Sequence, residues 1–145
     1  QLGLSTQVSN TLQIGKNEVR AAFKREPYQI AFVRQKNTIT KENIPYLQLL
    51  DAIKYIKKIP DTSVANACKR FLAILKERAT DEIKTLLRLA LKYPPATRAL
   101  LGALLEQLGF VDNLINLRNS LNPITKYNIS GADQELSTAV NWNIQ

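Results

Sequence analysis

The stretch Pro94-Pro95-Ala96-Thr97-Arg98-Ala99-Leu100-Leu101-Gly102-Ala103-Leu104-Leu105-Glu106-Gln107-Leu108-Gly109 decides how this chain is read. Two prolines stop whatever precedes them and open a helix, because proline's missing N–H costs nothing in a first helical turn. Leu100, Leu101, Leu104, Leu105 and Leu108 then recur at helical spacing. Gly102 and Ala103 lie among them and permit the close approach of another helix. Gly109 is a natural C-cap. The spacing predicts a helix over Ala96–Leu108 with little polar surface.

On either side the same period continues. Towards the N-terminus, Ile83, Leu86, Leu87, Ala90 and Leu91 form one stripe of a helix starting at Thr80, with Asp81 and Glu82 in its first turn, where acids suit the helix dipole. Before it, Asp61-Thr62-Ser63 offers capping side chains to a helix striped by Val64, Cys68, Phe71, Leu72 and Leu75. Earlier still, Tyr46, Leu49, Leu50, Ile53 and Ile56 share one face of a helix that opens near Pro45 and ends at Pro60. Its opposite side carries Gln48, Asp51, Lys54 and Lys58. Towards the C-terminus, Leu114, Ile115, Leu117 and Leu121 mark a fifth helix near Asp112 to Leu121, stopped by Asn122-Pro123. Thr125–Ile129 reads as a short strand, and Trp142 anchors an irregular tail.

The period changes before Thr40. Leu12 and Ile14 alternate with polar neighbours, and Gly15-Lys16-Asn17 follows as a turn. Tyr28-Gln29-Ile30-Ala31-Phe32-Val33 is aromatic and β-branched, with Pro27 just ahead of it. The expected fold class is therefore α+β. A small antiparallel sheet from residues 10–36, joined by residues 125–129, packs on a bundle of about five helices. The chain reads as a single domain over 1–145: strand-rich at 1–40, helical at 41–122, and a short strand with an irregular tail at 123–145.

Several chemistries are excluded by what the sequence lacks. There is no histidine, so neither Ser-His-Asp nor Cys-His catalysis nor a histidine-ligated zinc hydrolase can be built within this chain. The glycines stand scattered at 3, 15, 102, 109 and 131 and form no phosphate-cradling loop. Cys68 is the one cysteine, enough for neither an internal disulfide nor a zinc site, and its place in a helical apolar pattern reads as core. Asp81-Glu82 is explained by helix capping, and Asp133-Gln134-Glu135 by a solvated loop. No catalytic, cofactor-binding or metal-binding residue is expected, and the chain reads as a non-enzyme. No apolar run reaches the ~18 residues of a membrane helix, so no membrane partner is expected. Asn128-Ile129-Ser130 fits a glycosylation acceptor only by chance. The chain opens on Gln1, which reads as a fragment of a longer cytoplasmic protein.

The charge is informative. The net charge is +8, and residues 1–72 hold 12 Lys/Arg against 5 Asp/Glu, whereas residues 73–145 hold 8 against 7. A basic half suits an anionic partner, either nucleic acid or an acidic protein surface. The candidate phosphate- or partner-binding residues are Arg34 and Lys36, after the best strand, and Lys54, Lys57 and Lys58, at the end of the first helix. Lysines in a last helical turn also complement the dipole, so this trio has a structural explanation beside the functional one. Tyr55 lies off the apolar stripe and is the best exposed aromatic for stacking on a base.

Several stretches carry a resemblance. Ser5-Thr6-Gln7-Val8-Ser9-Asn10-Thr11-Leu12-Gln13-Ile14, Phe32-Val33-Arg34-Gln35-Lys36-Asn37, Thr40-Lys41-Glu42-Asn43-Ile44-Pro45, Leu49-Leu50-Asp51-Ala52-Ile53 and Ile56-Lys57-Lys58-Ile59-Pro60-Asp61 are similar to segments of the AbiEi-type antitoxins of bacterial abortive-infection systems. The segments 120–129 and Trp142-Asn143 also resemble that family, whereas Ser9 stands where many relatives have proline. The resemblance implies an N-terminal winged helix that reads operator DNA and a C-terminal domain that counters a nucleotidyltransferase-like toxin and supports autorepression of the operon. Leu2-Gly3-Leu4-Ser5 looks like the junction just after the winged helix, so operator recognition falls on no residue of this chain. The competing expectation is a stand-alone basic nucleic-acid-binding or transcriptional-regulator accessory domain.

Overall fold

The computed structural model describes residues 11–15, 29–33, 37, 39–111 and 113–145. In chain order these form strands β1 (Thr11–Gly15) and β2 (Gln29–Val33) and helices α1 (Ile44–Lys54), α2 (Val64–Lys76), α3 (Thr80–Ala90), α4 (Pro95–Gln107) and α5 (Ile115–Asn119). Short 3-10 turns at Ile56–Lys58, Ala132–Gln134 and Ser137–Trp142 complete the set.

The leucine-rich stretch is the axis of the fold. In α4, Thr97 and every residue from Ala99 to Leu105 are buried. A helix covered on all sides must be surrounded, and α4 is packed by α1, α2, α5 and the Ser137–Trp142 turn. Its end is a Schellman motif. Phe110 N–H donates to Leu105 O (3.0 Å), Gly109 N–H donates to Glu106 O (3.0 Å), and Gly109 has φ +93. A side chain at that φ is disfavoured, so glycine suits the position.

The surrounding helices present one face each. Ala67, Cys68, Phe71 and Leu75 are the buried residues of α2, and Ile83, Leu86, Leu87, Leu89 and Ala90 those of α3. Ser63 caps α2, its Oγ accepting from Asn66 N–H at 3.1 Å. Glu82 turns back at the start of α3, where its carboxylate accepts from Ala79 N–H at 2.9 Å.

The tail closes the bundle. Trp142 is buried and lies across Gly102, where a Cβ would come within 2.5 Å of the indole ring. The close approach read from Gly102 is therefore made by a tail side chain and not by a helix. Trp142 Nε1–H donates to Glu106 Oε1 at 3.0 Å. The Arg118 guanidinium stacks on the indole, 4.2 Å from the ring centroid. Arg118 also donates to Asn141 O at 2.9 Å.

The α+β expectation with an antiparallel sheet is overturned, for the described domain is helical. Its core cluster runs from Ile39 to Ile144 and is built by helices and tail. The one ladder among the described residues, β1 with β2, is parallel, in register Thr11↔Gln29 to Gly15↔Val33. Alternation marks a strand but not its direction. Thr125–Ile129 does not join this ladder. Tyr127 makes an isolated bridge to Ile144, with Tyr127 N–H donating to Asn143 O and Gln145 N–H to Tyr127 O, both at 2.8 Å. No helix among the described residues is long and apolar enough to cross a membrane.

Candidate functional site

The basic end of α1 is shaped by where the helix stops. The periodicity predicts one helix through to Pro60, but α1 ends at Lys54, and Tyr55 takes a non-helical conformation (φ −101, ψ 27). Lys58 N–H then donates to Tyr55 O at 2.8 Å, closing the 3-10 turn. Ile56 and Ile59 are buried on either side of Lys57 and Lys58. Two inward isoleucines three residues apart match the 3-10 period, and the two lysines between them are exposed.

Lys54 lies half-buried, its Nζ 5.1 Å from the centroid of the Tyr55 ring. Tyr55 is itself half-buried rather than fully exposed. The ion pairs among the described residues are Lys69–Glu135, Arg78–Glu82 and Arg118–Glu106, so none of Lys54, Lys57 and Lys58 forms an ion pair there, although the Lys54 charge acts on the buried Asp51 carboxyl. Of the five candidate residues, the structure places Lys54 beside an aromatic ring and Lys57 and Lys58 exposed in the turn that follows. Arg34 and Lys36 lie outside the described residues.

One group on α1 is misassigned by periodicity. The helical period places Asp51 on the polar side of α1, yet it is only 4% exposed. Its Oδ1 accepts from the Tyr93 hydroxyl at 2.6 Å, and that hydroxyl also reaches Leu47 O at 3.3 Å. Burial raises the Asp51 carboxyl from 3.8 to about 6, against the lowering effects of the Tyr93 hydrogen bond and the Lys54 charge. The available signal is the near-continuous apolar run Leu47–Ile53, which leaves α1 little polar face once α3 and α4 both pack on it.

The sign of this shift fixes a pH dependence. A carboxyl that is more basic when folded stabilises the fold most below about pH 3.8, and that contribution is lost as pH rises through about 6. Replacing Asp51→Asn removes it while keeping an acceptor for Tyr93. The stability of the Asp51→Asn variant relative to the parent is therefore expected to rise between about pH 4.5 and pH 7, by on the order of 2 kcal/mol. Urea melts of both chains across that range check this, and a constant difference contradicts it.

Cys68 is fully buried, and burial pushes its thiol up to about 12, with a further rise from Glu135. It packs as a small apolar side chain, in keeping with its helical position. Among the described residues no group of three or more His, Cys, Asp or Glu comes together to hold a metal ion. What the arrangement at the end of α1 can do is attract and hold an anion. Lys57 and Lys58 are exposed and in no ion pair among the described residues, and Lys54, just before them in the chain, stands over the Tyr55 ring. No protein-family model, curated protein or solved structure matches this chain.

Proposed function

We propose that this chain is the non-catalytic C-terminal domain of a cytoplasmic antitoxin in a bacterial abortive-infection system. In this reading it counters a nucleotidyltransferase-like toxin and supports autorepression of its operon. Operator DNA is read mainly through a winged helix preceding this chain. The observation that supports the reading is the run of basic side chains at and after the end of α1: Lys54 over the Tyr55 ring, then Lys57 and Lys58 exposed in the 3-10 turn, none of them in an ion pair among the described residues. The similarity of the flanking segments 40–45, 49–53 and 56–61 to AbiEi-type antitoxins supports it. An anionic partner suits a stretch of chain that carries three positive charges and no ion pair among the described residues.

Charge reversal tests it. The triple variant Lys54→Glu, Lys57→Glu, Lys58→Glu is expected to lose growth rescue when co-expressed with a nucleotidyltransferase-like protein encoded beside it. The double variant Lys57→Glu, Lys58→Glu is the control for folding: both lysines are exposed, so its melting temperature should stay close to that of the parent, whereas Lys54 is half-buried and acts on Asp51. Neutralisation and operator affinity both left intact would end the patch reading. Salt-dependent DNA or RNA binding by this chain alone, with no effect on a toxin, would favour the stand-alone nucleic-acid-binding domain instead.

A further inference from the structure

Residues 73–145 look close to neutral in the sequence, with 8 Lys/Arg against 7 Asp/Glu. The fold engages several of those acids with particular partners. Glu82 accepts from Ala79 N–H and pairs with Arg78. Glu106 accepts from Trp142 and pairs with Arg118, and Glu135 pairs with Lys69. The charge that this pairing leaves over is uneven, and α3 carries it in a row.

α3 buries Ile83, Leu86, Leu87, Leu89 and Ala90, so the residues between them set its outward face. Lys84 and Arg88 are exposed there at i and i+4. Lys92 is exposed at i+8 in the turn that follows, where its N–H donates to Leu89 O at 3.4 Å. Four residues advance about 6 Å along a helix axis, and that spacing stacks side chains on one face. Lys84 and Arg88 form no ion pair among the described residues. Asp81, exposed one turn before Lys84, marks the N-terminal limit of the row. Like charges at this spacing weaken a helix. The helix dipole accounts for Arg88, in the last turn, but not for Lys84, in the first half.

The partner that suits this row is a polyanion with regularly repeated charge. An anionic membrane takes up an apolar helix face together with the cations, and the apolar face of α3 is already buried in the core. The centre of a protein–protein interface is poor in lysine and rich in aromatic side chains. The outward face of α3 and its following turn exposes one large hydrophobic side chain among the described residues, Leu91. A phosphate backbone asks only for cations held along a line. The same end of the helix also meets the segment that carries two of the candidate cations. Asn37, one residue after Lys36 and three after Arg34, is buried and donates from Nδ2 to Leu89 O at 2.9 Å.

We propose that Lys84, Arg88 and Lys92 form a contact for the phosphate backbone of duplex DNA, one that positions the domain on the duplex and reads no base sequence. The choice of DNA rests on the proposed function, in which the domain supports autorepression of its operon. The residues are not those at the end of α1, so variants separate the two surfaces.

The test uses the whole chain and two short DNA duplexes of unrelated sequence, with affinity read by fluorescence anisotropy over a series of salt concentrations. Each cation withdrawn from a phosphate lowers the slope of log affinity against log salt by about one unit. Lys84→Gln and Arg88→Gln should each lose about one unit, and the triple variant with Lys92→Gln about three, alike on both duplexes. All three side chains are exposed, so circular-dichroism melts should match the parent. Lys126→Gln, at an exposed lysine of the tail, removes the same charge elsewhere and should leave the slope unchanged. A slope unchanged in the triple variant, or lowered as much by Lys126→Gln as by Lys84→Gln, overturns the contact. Tighter row-dependent binding to an RNA duplex of the same sequence overturns the assignment to DNA. Failure of the underlying reading looks different. If neither these variants nor Lys57→Glu, Lys58→Glu alter binding, the domain has no DNA contact of either kind and both inferences fall. If Lys57→Glu, Lys58→Glu alone weakens binding, the α3 row falls and the reading of α1 stands.

Discussion

Trp142→Ala is expected to cost about 3–5 kcal/mol of stability, within the range for truncating a large buried aromatic. The indole is 3% exposed and is the chain's one tryptophan. Three further interactions go with it. Its N–H bond to Glu106 is lost, the Arg118 guanidinium loses the ring it stacks on, and the Gly102 face of α4 opens. The indole cannot be replaced by local collapse, since α4 is already packed on its other sides. Urea melts followed by circular dichroism check the loss. A cost below about 1 kcal/mol would mean that the tail is not docked on α4 as described.

The second large effect comes from the other half of the same contact. Alanine normally gains about 1 kcal/mol over glycine inside a helix. At Gly102 the added methyl would stand 2.5 Å from Cη2 and Cζ3 of Trp142 and 2.7 Å from Cε3. The obstacle is one edge of a rigid ring held by Glu106 and Arg118, so it cannot swing aside like the end of a flexible chain. Overpacking of this kind costs about 1–3 kcal/mol, which outweighs the propensity gain. Gly102→Ala is expected to destabilise, and Gly102→Leu to undock the tail. The double variant Gly102→Ala, Trp142→Ala gives a sharper readout. With the ring gone, the alanine meets open space and the propensity gain returns, so the double variant should be more stable than Trp142→Ala alone. Strict additivity of the two losses contradicts a direct contact.

Much of the helical part is legible in the sequence because its signals are local. Pro95 and Gly109 bracket α4, Ser63 caps α2, and Asp81-Glu82 opens α3, each at the position read from the chain. The misreadings have tertiary causes. Asp51 belongs by period to a polar face, but α1 is packed from two directions and has almost no such face. Ile115 fits the apolar pattern of the fifth helix, yet it is 65% exposed, because α5 is one short turn that meets α4 through Leu114 and Leu117. The direction of the β1–β2 pairing depends on a crossover that alternation does not encode. Thr125–Ile129 has strand composition, but its partner is the C-terminal Ile144, distant in sequence.

For the candidate site, periodicity finds Lys54, Lys57 and Lys58 but treats them as one helical turn. The break at Tyr55 and the buried Ile56 and Ile59 are what turn Lys57 and Lys58 outward together. The apolar run Leu47–Ile53 hints that Asp51 is buried, but its contact with Tyr93, 42 residues away in the chain, leaves no local mark in the sequence.

The proposed function sets the basic end of α1 against an anionic partner, the phosphates of operator DNA among them where the domain supports autorepression, and the salt dependence of binding measures that contact most directly. The observed affinity of the chain for a short DNA duplex, plotted against salt on logarithmic axes, has a slope set by the number of phosphates neutralised. Lys54→Ala, Lys57→Ala and Lys58→Ala should each lower that slope by about one unit, alike across duplex sequences. A slope unchanged in all three variants would show that these lysines contact no phosphate and would contradict the account.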